Sequence, residues 1–357
     1  MRNSKRIAAL ALATSMIVLA ACGSDDASSS TTEAPGTTTG ETTAPSTGKI
    51  AGIAFDTGGR GDGTFNDSAG LGGDKAASEL GIEVKELETT TDDDRKPNLE
   101  TLTTAGANPV IAVGFLFSDT LGAVAAANPD TQYAIVDGFV PPDVAPNVAN
   151  LGFAEEQGSF LVGAAAALKS KTGQIGFIGG QEIDLIKKFE AGYIAGAKAV
   201  NPDIKIESKY LGAAGDNAAW GSPDKAKEIA LGWYADGVDI IYTAAGGSGA
   251  GTIAAAVEAD KWAIGVDSDQ YLTIGDPEAQ KHILTSMLKR VDVAVFETIK
   301  AVADTGKAES KAFDLSVDGV GYATSGGYVD DIKDQLEAFK ADIISGKIVV
   351  PTDPTKA

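Results

Sequence analysis

From residue 50 onward the chain alternates short, almost wholly apolar runs with longer segments whose apolar residues recur at helical spacing. Ile50–Phe55 is the first apolar run and closes on Asp56; the others cover residues 83–87, 109–114, 133–137, 148–153, 174–178, 204–211, 238–244, 262–267 and 283–288. Helical segments between them include residues 68–80, 99–106, 155–171, 183–200 and 223–236. Short apolar runs read as strands buried on both faces, and their alternation with helices predicts βαβ units and mostly parallel sheets. Fewer than six strands precede Phe153 and a comparable set follows Thr172. That division predicts two similar lobes with a crossing near residues 150–154; a single long sheet is the alternative.

In open α/β sheets ligands bind beyond the carboxyl ends of the strands. The first such end opens into Gly58-Gly59-Arg60-Gly61-Asp62-Gly63-Thr64-Phe65-Asn66-Asp67-Ser68. Its glycines let the backbone approach a ligand closely, Phe65 offers a flat face, and the Asn66 amide both donates and accepts hydrogen bonds. Other strand ends carry Gly114-Phe115, Asp137-Gly138, Gly179-Gly180, Gly246-Gly247-Ser248-Gly249, Asp267-Ser268-Asp269-Gln270 and Lys289-Arg290. One strand-end carboxylate is commonplace. Several polar groups along the same edges predict a polar, neutral or cationic ligand held between them.

Charge and the N-terminus narrow the partners. The 357 residues carry a formal net charge of −21, which argues against nucleic acid and against adsorption to anionic lipid. Arg2, Lys5 and Arg6 precede an apolar stretch over residues 7–21, short for a membrane span, which ends in Leu19-Ala20-Ala21-Cys22-Gly23. That pattern looks like a bacterial lipobox. Residues 1–21 are therefore expected to form a lipoprotein signal peptide, with lipid on Cys22 tethering the protein to the extracytoplasmic face of the cell membrane. An ordinary secretory signal with an incidental cysteine is the alternative. Residues 22–48, rich in Ser, Thr, Gly, Ala and Pro, are expected to be a disordered tether.

The same residue counts exclude much chemistry. Cys22 is the only cysteine, which removes thiolate metal sites, and His282, the only histidine, sits early in a strand pattern where a structural role is expected, so Ser-His and Cys-His nucleophilic sites are almost excluded and His-rich metal spacings are absent. Gly247-Ser248-Gly249-Ala250-Gly251 lacks the Gly-Lys-Ser/Thr of a P-loop, and no cofactor is expected. Asp56, Asp137 and Asp267 could pair for glycoside cleavage, or could accept hydrogen bonds from hydroxyl and N–H groups, which needs no special pKa. Binding is the simpler assignment, and the chain is not expected to be an enzyme. Lys187-Lys188 reads as a solvated helix face and Asp92-Asp93-Asp94 as a solvated turn.

Taken together, the motifs resemble a known family. Gly63-Thr64-Phe65-Asn66-Asp67-Ser68-Ala69, Gly114-Phe115-Leu116-Phe117-Ser118-Asp119, Phe153-Ala154-Glu155-Glu156-Gln157-Gly158 and Lys188-Phe189-Glu190-Ala191-Gly192 follow in order. They continue with Gly246-Gly247-Ser248-Gly249-Ala250-Gly251, Gly265-Val266-Asp267-Ser268-Asp269-Gln270 and Met287-Leu288-Lys289-Arg290. The series is similar to the basic membrane protein family of bacterial lipoproteins, substrate-binding proteins of nucleoside ABC transporters. The resemblance implies a type I periplasmic-binding-protein fold, two α/β lobes joined by three crossings near residues 152, 283 and 314. Lobe 1 would comprise 49–152 with about 284–313, and lobe 2 would comprise 153–283 with about 314–357. It implies that Phe65 and Phe189 sandwich a nucleoside base, that Asn66 and Asp137 read its edge, and that Asp267 accepts two ribose hydroxyls with Lys289 orienting that carboxylate. Asp56, Asp67 and Gly247 would complete the site. The implied partners are a nucleoside, with purines favoured, and an ABC permease; the protein itself would be a monomer. A receptor for a sugar or other polar metabolite, an extracellular nucleoside hydrolase and a surface adhesin or sensory lipoprotein are the competing functions.

Overall fold

The structure, a computed structural model, describes residues 46–357. The expected signal peptide, Cys22 and most of the expected tether lie outside the described residues. Two six-stranded sheets organise the described chain. The strands are β1 Ile50–Phe55, β2 Glu83–Glu88, β3 Val110–Val113, β4 Tyr133–Val136, β5 Val148–Phe153, β6 Gln174–Gln181, β7 Lys205–Gly212, β8 Ile240–Ala244, β9 Trp262–Asp267, β10 Ile283–Lys289, β11 Lys311–Phe313 and β12 Val320–Tyr322. The first sheet runs β11-β5-β4-β3-β1-β2 and the second β12-β10-β9-β8-β6-β7. All pairings are parallel except β10 with β12.

The sheets repeat one plan. Position for position, β2-β1-β3-β4-β5 matches β7-β6-β8-β9-β10. In each, the central strands are buried on both faces because helices cover both sides; Ile53 and Phe55 belong to one core and Ala54 to the other. Phe177 and Ile178 divide in the same way in the second sheet. These are the uninterrupted apolar runs that parallel sheets require. The fold is thus of the type I periplasmic-binding-protein kind, a two-sheet architecture and not one long sheet.

One boundary differs from the sequence expectation. The strand β10 pairs with β9 and β12 in the second sheet, so the chain returns to the first lobe after Lys289 and not near residue 284. The helix Val291–Thr305 then packs on the helix Phe65–Leu80 of the first lobe. The other crossings follow β5 and β11, where Ala154 N donates to Phe313 O at 3.0 Å. Both β11 and β12 have only three residues, too few to show a period in sequence. Phe153 and Phe313, side by side at the crossings, stack at 5.1 Å.

Helix Phe65–Leu80 also begins earlier than its apolar pattern suggests, and the cause is Asp62. Its carboxylate accepts from the backbone N–H groups of Thr64 at 2.8 Å, Asn66 at 2.9 Å and Asp67 at 3.2 Å. Those N–H groups would otherwise be the unsatisfied donors of a first helical turn. Phe65 and Asn66 are thereby placed on a rigid turn at the carboxyl edge of the first sheet.

Candidate functional site

A cavity of ≈260 Å³ lies where the carboxyl edges of both sheets meet. From the first lobe it takes Asp56 after β1, Gly114-Phe115 after β3, Asp137 after β4, and Phe65 and Asn66. From the second it takes Phe189, Trp220, Gly246-Gly247 after β8, Asp267 at the end of β9 and Lys289 at the end of β10. Eight of the nine ligand-binding candidates named from sequence therefore line one space. Asp67 does not: its carboxylate turns back to accept from Gly61 N at 2.7 Å and Gly63 N at 2.8 Å, bracing the loop.

The polar groups divide into two clusters. In the first, the Asn66 amide is oriented by its neighbours: Asn66 Nδ2 donates to Asp62 Oδ2 at 3.0 Å, and Asp56 N donates to Asn66 Oδ1 at 3.2 Å. Asp56 is buried against the Arg95 guanidinium, with Arg95 Nη2 at 2.7 Å from Asp56 Oδ1. Burial raises the Asp56 carboxyl above its usual range, and the bond to Arg95 opposes the rise. Burial likewise raises Asp62, opposed by the N–H groups it accepts. The sequence pattern alone does not mark Arg95, Asp62 or Trp220 as parts of the site.

The second cluster centres on Lys289, whose side chain is 2% exposed. Its ammonium pairs with Asp137 Oδ2 of the other lobe and with Glu155 Oε1 at 3.3 Å. It is Asp137 and Glu155, then, and not Asp267, that hold Lys289 directly. Glu155 is almost fully buried and also accepts from Lys188 Nζ at 3.1 Å, so Lys188 is no solvated-face lysine. Burial alone would lower the Lys289 ammonium, but Asp137, Glu155 and Asp267 together hold it above its usual value. Burial pushes the Asp267 carboxyl up to about 7, with Lys289 pulling it down and Asp137 pushing it further up. Asp137 is raised for the same first reason, burial, against the pull of Lys289.

Two further features of this cluster fit a ligand site. Asp137 and Asp267 adopt the left-handed backbone, φ +62° and +64°, each where its strand ends. This conformation is uncommon outside glycine but tolerated by Asp. Moreover, Oδ1 of each is buried without a hydrogen-bond partner among the described residues, a costly condition that a ligand donor would relieve. Three aromatic rings surround the Lys289 ammonium, with centroids at 5.2 Å for Phe65, 5.0 Å for Phe153 and 5.5 Å for Phe189. Phe65 and Phe189, from opposite lobes, therefore converge on one point.

The lobes also touch beside the cavity. Ser268 Oγ donates to Thr64 O at 2.8 Å and Thr273 Oγ1 to Gly63 O at 3.1 Å. Phe115 and Trp220 meet edge to face at 6.3 Å. Gly114 lets Asp56 sit where it does: its φ is +115°, and a Cβ there would collide with Asp56 Oδ2. Gly114→Ala is expected to cost about 1–3 kcal/mol of stability and to displace Asp56. Denaturant melting with a binding titration checks both effects. No cluster of His, Cys, Asp and Glu suited to a metal ion occurs among the described residues. No helix among them is long and apolar enough to cross a membrane.

Comparison with known proteins agrees with this fold. Residues 49–354 match the family described as ABC transporter substrate-binding protein PnrA-like. A Listeria innocua protein named CD4+ T-cell-stimulating antigen is 35% identical, over 98% of this chain and 99% of its own. The ABC transporter nucleoside-binding protein BmpA of Lactococcus lactis is 35% identical, over 97% and 98%. Among solved structures, an ABC transporter solute-binding protein from Aeropyrum pernix superposes with a TM-score of 0.73 at 29% identity, covering 85% of this chain and 94% of that one. The chain belongs to the Bmp family of PnrA-like ABC transporter substrate-binding proteins.

Proposed function

We propose that the protein is an extracytoplasmic nucleoside receptor, tethered through Cys22, that delivers its ligand to an ABC permease. The observation that carries the nucleoside assignment is the pair of rings, Phe65 and Phe189, converging from opposite lobes beside two buried carboxylates with unpaired oxygens. A nucleoside offers a flat uncharged base for the rings and hydroxyl donors for the carboxylates, and the relative from Lactococcus lactis carries a nucleoside-binding name. A purine covers more of both rings than a pyrimidine. The cavity's carboxylates would repel a phosphate, so nucleotides are poor ligands.

The two clusters suggest a division of labour. The oriented Asn66 amide and Asp56 form the base-reading end; Asp267, Asp137 and Lys289 form the sugar end. Asp137 accordingly moves from base reader to sugar acceptor, because it shares the Lys289 ammonium. Asp67 acts through the loop it braces. Lobe closure around the ligand then presents the permease with a surface that the open form lacks.

Calorimetric titration of a soluble form beginning at Gly48, freed of carried-over ligand by unfolding and refolding, tests this assignment. Adenosine, guanosine, inosine, uridine, cytidine and ribose form the panel. One-to-one binding of nucleosides is expected, purines tightest and ribose weak. Phe189→Ala is expected to weaken nucleosides about tenfold to a hundredfold, one stacked face lost, while leaving ribose unaffected. Ribose binding as tightly as the nucleosides would move the assignment to a sugar receptor. Release of free base on incubation would make the protein a hydrolase.

A further inference from the structure

A chain of hydrogen bonds runs from the cavity wall to its rim and across to the opposite lobe. Asp56, in the wall, is bound by Arg95 Nη2 at 2.7 Å, and Arg95 Nη1 holds Asp92 Oδ1 at 2.8 Å. Asp92 opens the short turn Asp92–Asp94 of the first lobe and is itself exposed. Both of its oxygens accept from Asn217 Nδ2, at 3.1 and 3.3 Å, on the turn Asn217–Trp220 of the second lobe. The orientation of the Asn217 amide is determined by its partners. Gly215 N donates to Gln181 Oε1 at 2.9 Å, so Gln181 must present Nε2, which donates to Asn217 Oδ1 at 2.9 Å. Only Asn217 Nδ2 is then left for Asp92. The same turn carries Trp220, which lines the cavity and meets Phe115 of the first lobe.

We propose that the Asn217–Asp92 contact is a latch that holds the lobes together over the ligand, and that Arg95 is a positioning residue tying that latch to Asp56 in the cavity wall. The proposal rests on the receptor function given above and names the residues that set how long the ligand stays. The contact joins two lobes, so it exists only when they approach, and it shifts the open–closed equilibrium by its own net free energy. Its acceptor is charged and already held by Arg95, while its donor is already held by Gln181. Closure therefore orders little that was free, and less of the bond's strength is spent on ordering. A latch that forms after the ligand has entered slows escape and leaves entry unchanged.

The test uses the soluble form beginning at Gly48, which has no cysteine, with spin labels at Glu100→Cys on the first lobe and Asp224→Cys on the second. Label distances are measured without ligand and with adenosine or guanosine, and release is followed through tryptophan fluorescence in stopped flow. Asn217→Ala and Asp92→Ala are expected to lengthen the label distances and to speed release about tenfold, the loss of one hydrogen bond to a charged group, with the association rate unchanged. Asn217→Asp, which sets two carboxylates face to face, is expected to open the lobes further. Adding Asp92→Asn to it restores an amide–carboxylate pair and is expected to recover closure. Arg95→Met, which removes both hydrogen bonds at once, is expected to speed release and also to slow association, because Asp56 is displaced. Unchanged distances and release in both alanine variants overturn the latch, whatever the ligand. If no nucleoside binds the parent protein while the variants still lengthen the distances, the nucleoside assignment falls and the latch stands.

Discussion

Asp267→Asn raises the melting temperature of the unliganded protein and weakens nucleoside binding by about a hundredfold. Both effects come from one buried carboxyl. Burial holds Asp267 up at about 7 although Lys289 is near, and its Oδ1 has no partner among the described residues. A carboxyl raised on folding binds a proton in the native state that the unfolded chain has already lost. Its contribution to stability is therefore most favourable below about pH 4, declines as pH rises, and reaches its full penalty above about pH 7. Asparagine keeps the shape without the charge and removes that decline. The ligand wants the opposite state. Only the ionised carboxylate accepts two hydroxyls at full strength, and losing two such bonds at about 1.5 kcal/mol each corresponds to the hundredfold stated. Wild-type affinity is expected to fall as pH drops below about 7, approaching tenfold per pH unit, while the variant stays flat until the Asp137 carboxyl, raised to about 6, begins to take up a proton. Calorimetry and thermal melts between pH 5 and 9 read both. A flat wild-type profile, or a variant that binds as well as the parent, would remove Asp267 from the site.

Lys289→Met destabilises the protein by about 3–5 kcal/mol at pH 8, the cost of leaving buried charges without their counter-ion. Asp137, Glu155 and Asp267 all face that ammonium, and methionine fills the volume without the charge. Without Lys289 the Asp137 and Asp267 carboxyls take up protons more readily. The defect is then expected to shrink as pH falls toward 5, where proton uptake relieves the repulsion. Nucleoside binding is expected to be lost at pH 8. Urea melts at pH 5.5 and 8 separate this from lost packing, which would destabilise equally at both.

Much of the site could be read from sequence because strand ends in α/β sheets are where chemistry collects. Asp56, Asp137, Asp267 and Lys289 each follow or close an apolar run, and Phe65 and Asn66 sit in the one loop rich enough in glycine to advertise itself. What escaped has a common cause. Arg95, Glu155 and Trp220 stand at the starts of helices or in short turns, where an isolated sequence shows only a charged or aromatic residue. Their meaning lies in which way the element points, and tertiary packing decides that. Asp92 looked like one of three solvated acids until the opposite lobe supplied Asn217. Lys188 looked solvated until helix Glu155–Lys169 turned a buried carboxylate toward it. The placement of β10 failed for a related reason: an apolar run shows that a strand is buried, but not in which sheet.

The repeated plan of the two sheets has a consequence for how any ligand sits. An aspartate stands at the end of the fourth strand of each half, Asp137 just after one and Asp267 closing the other, both in the same left-handed conformation. Two matching jaws of this kind have no built-in head or tail, and an elongated guest could enter either way round. The fifth strand breaks the tie. It ends on Phe153 in the first half and on Lys289 in the second, and the two meet, with the ammonium 5.0 Å from the ring centre. Polarity is thus imposed on a repeated scaffold at this pair of equivalent positions as well as at the Asn66 and Asp56 end, and both bear on the direction in which a guest lies.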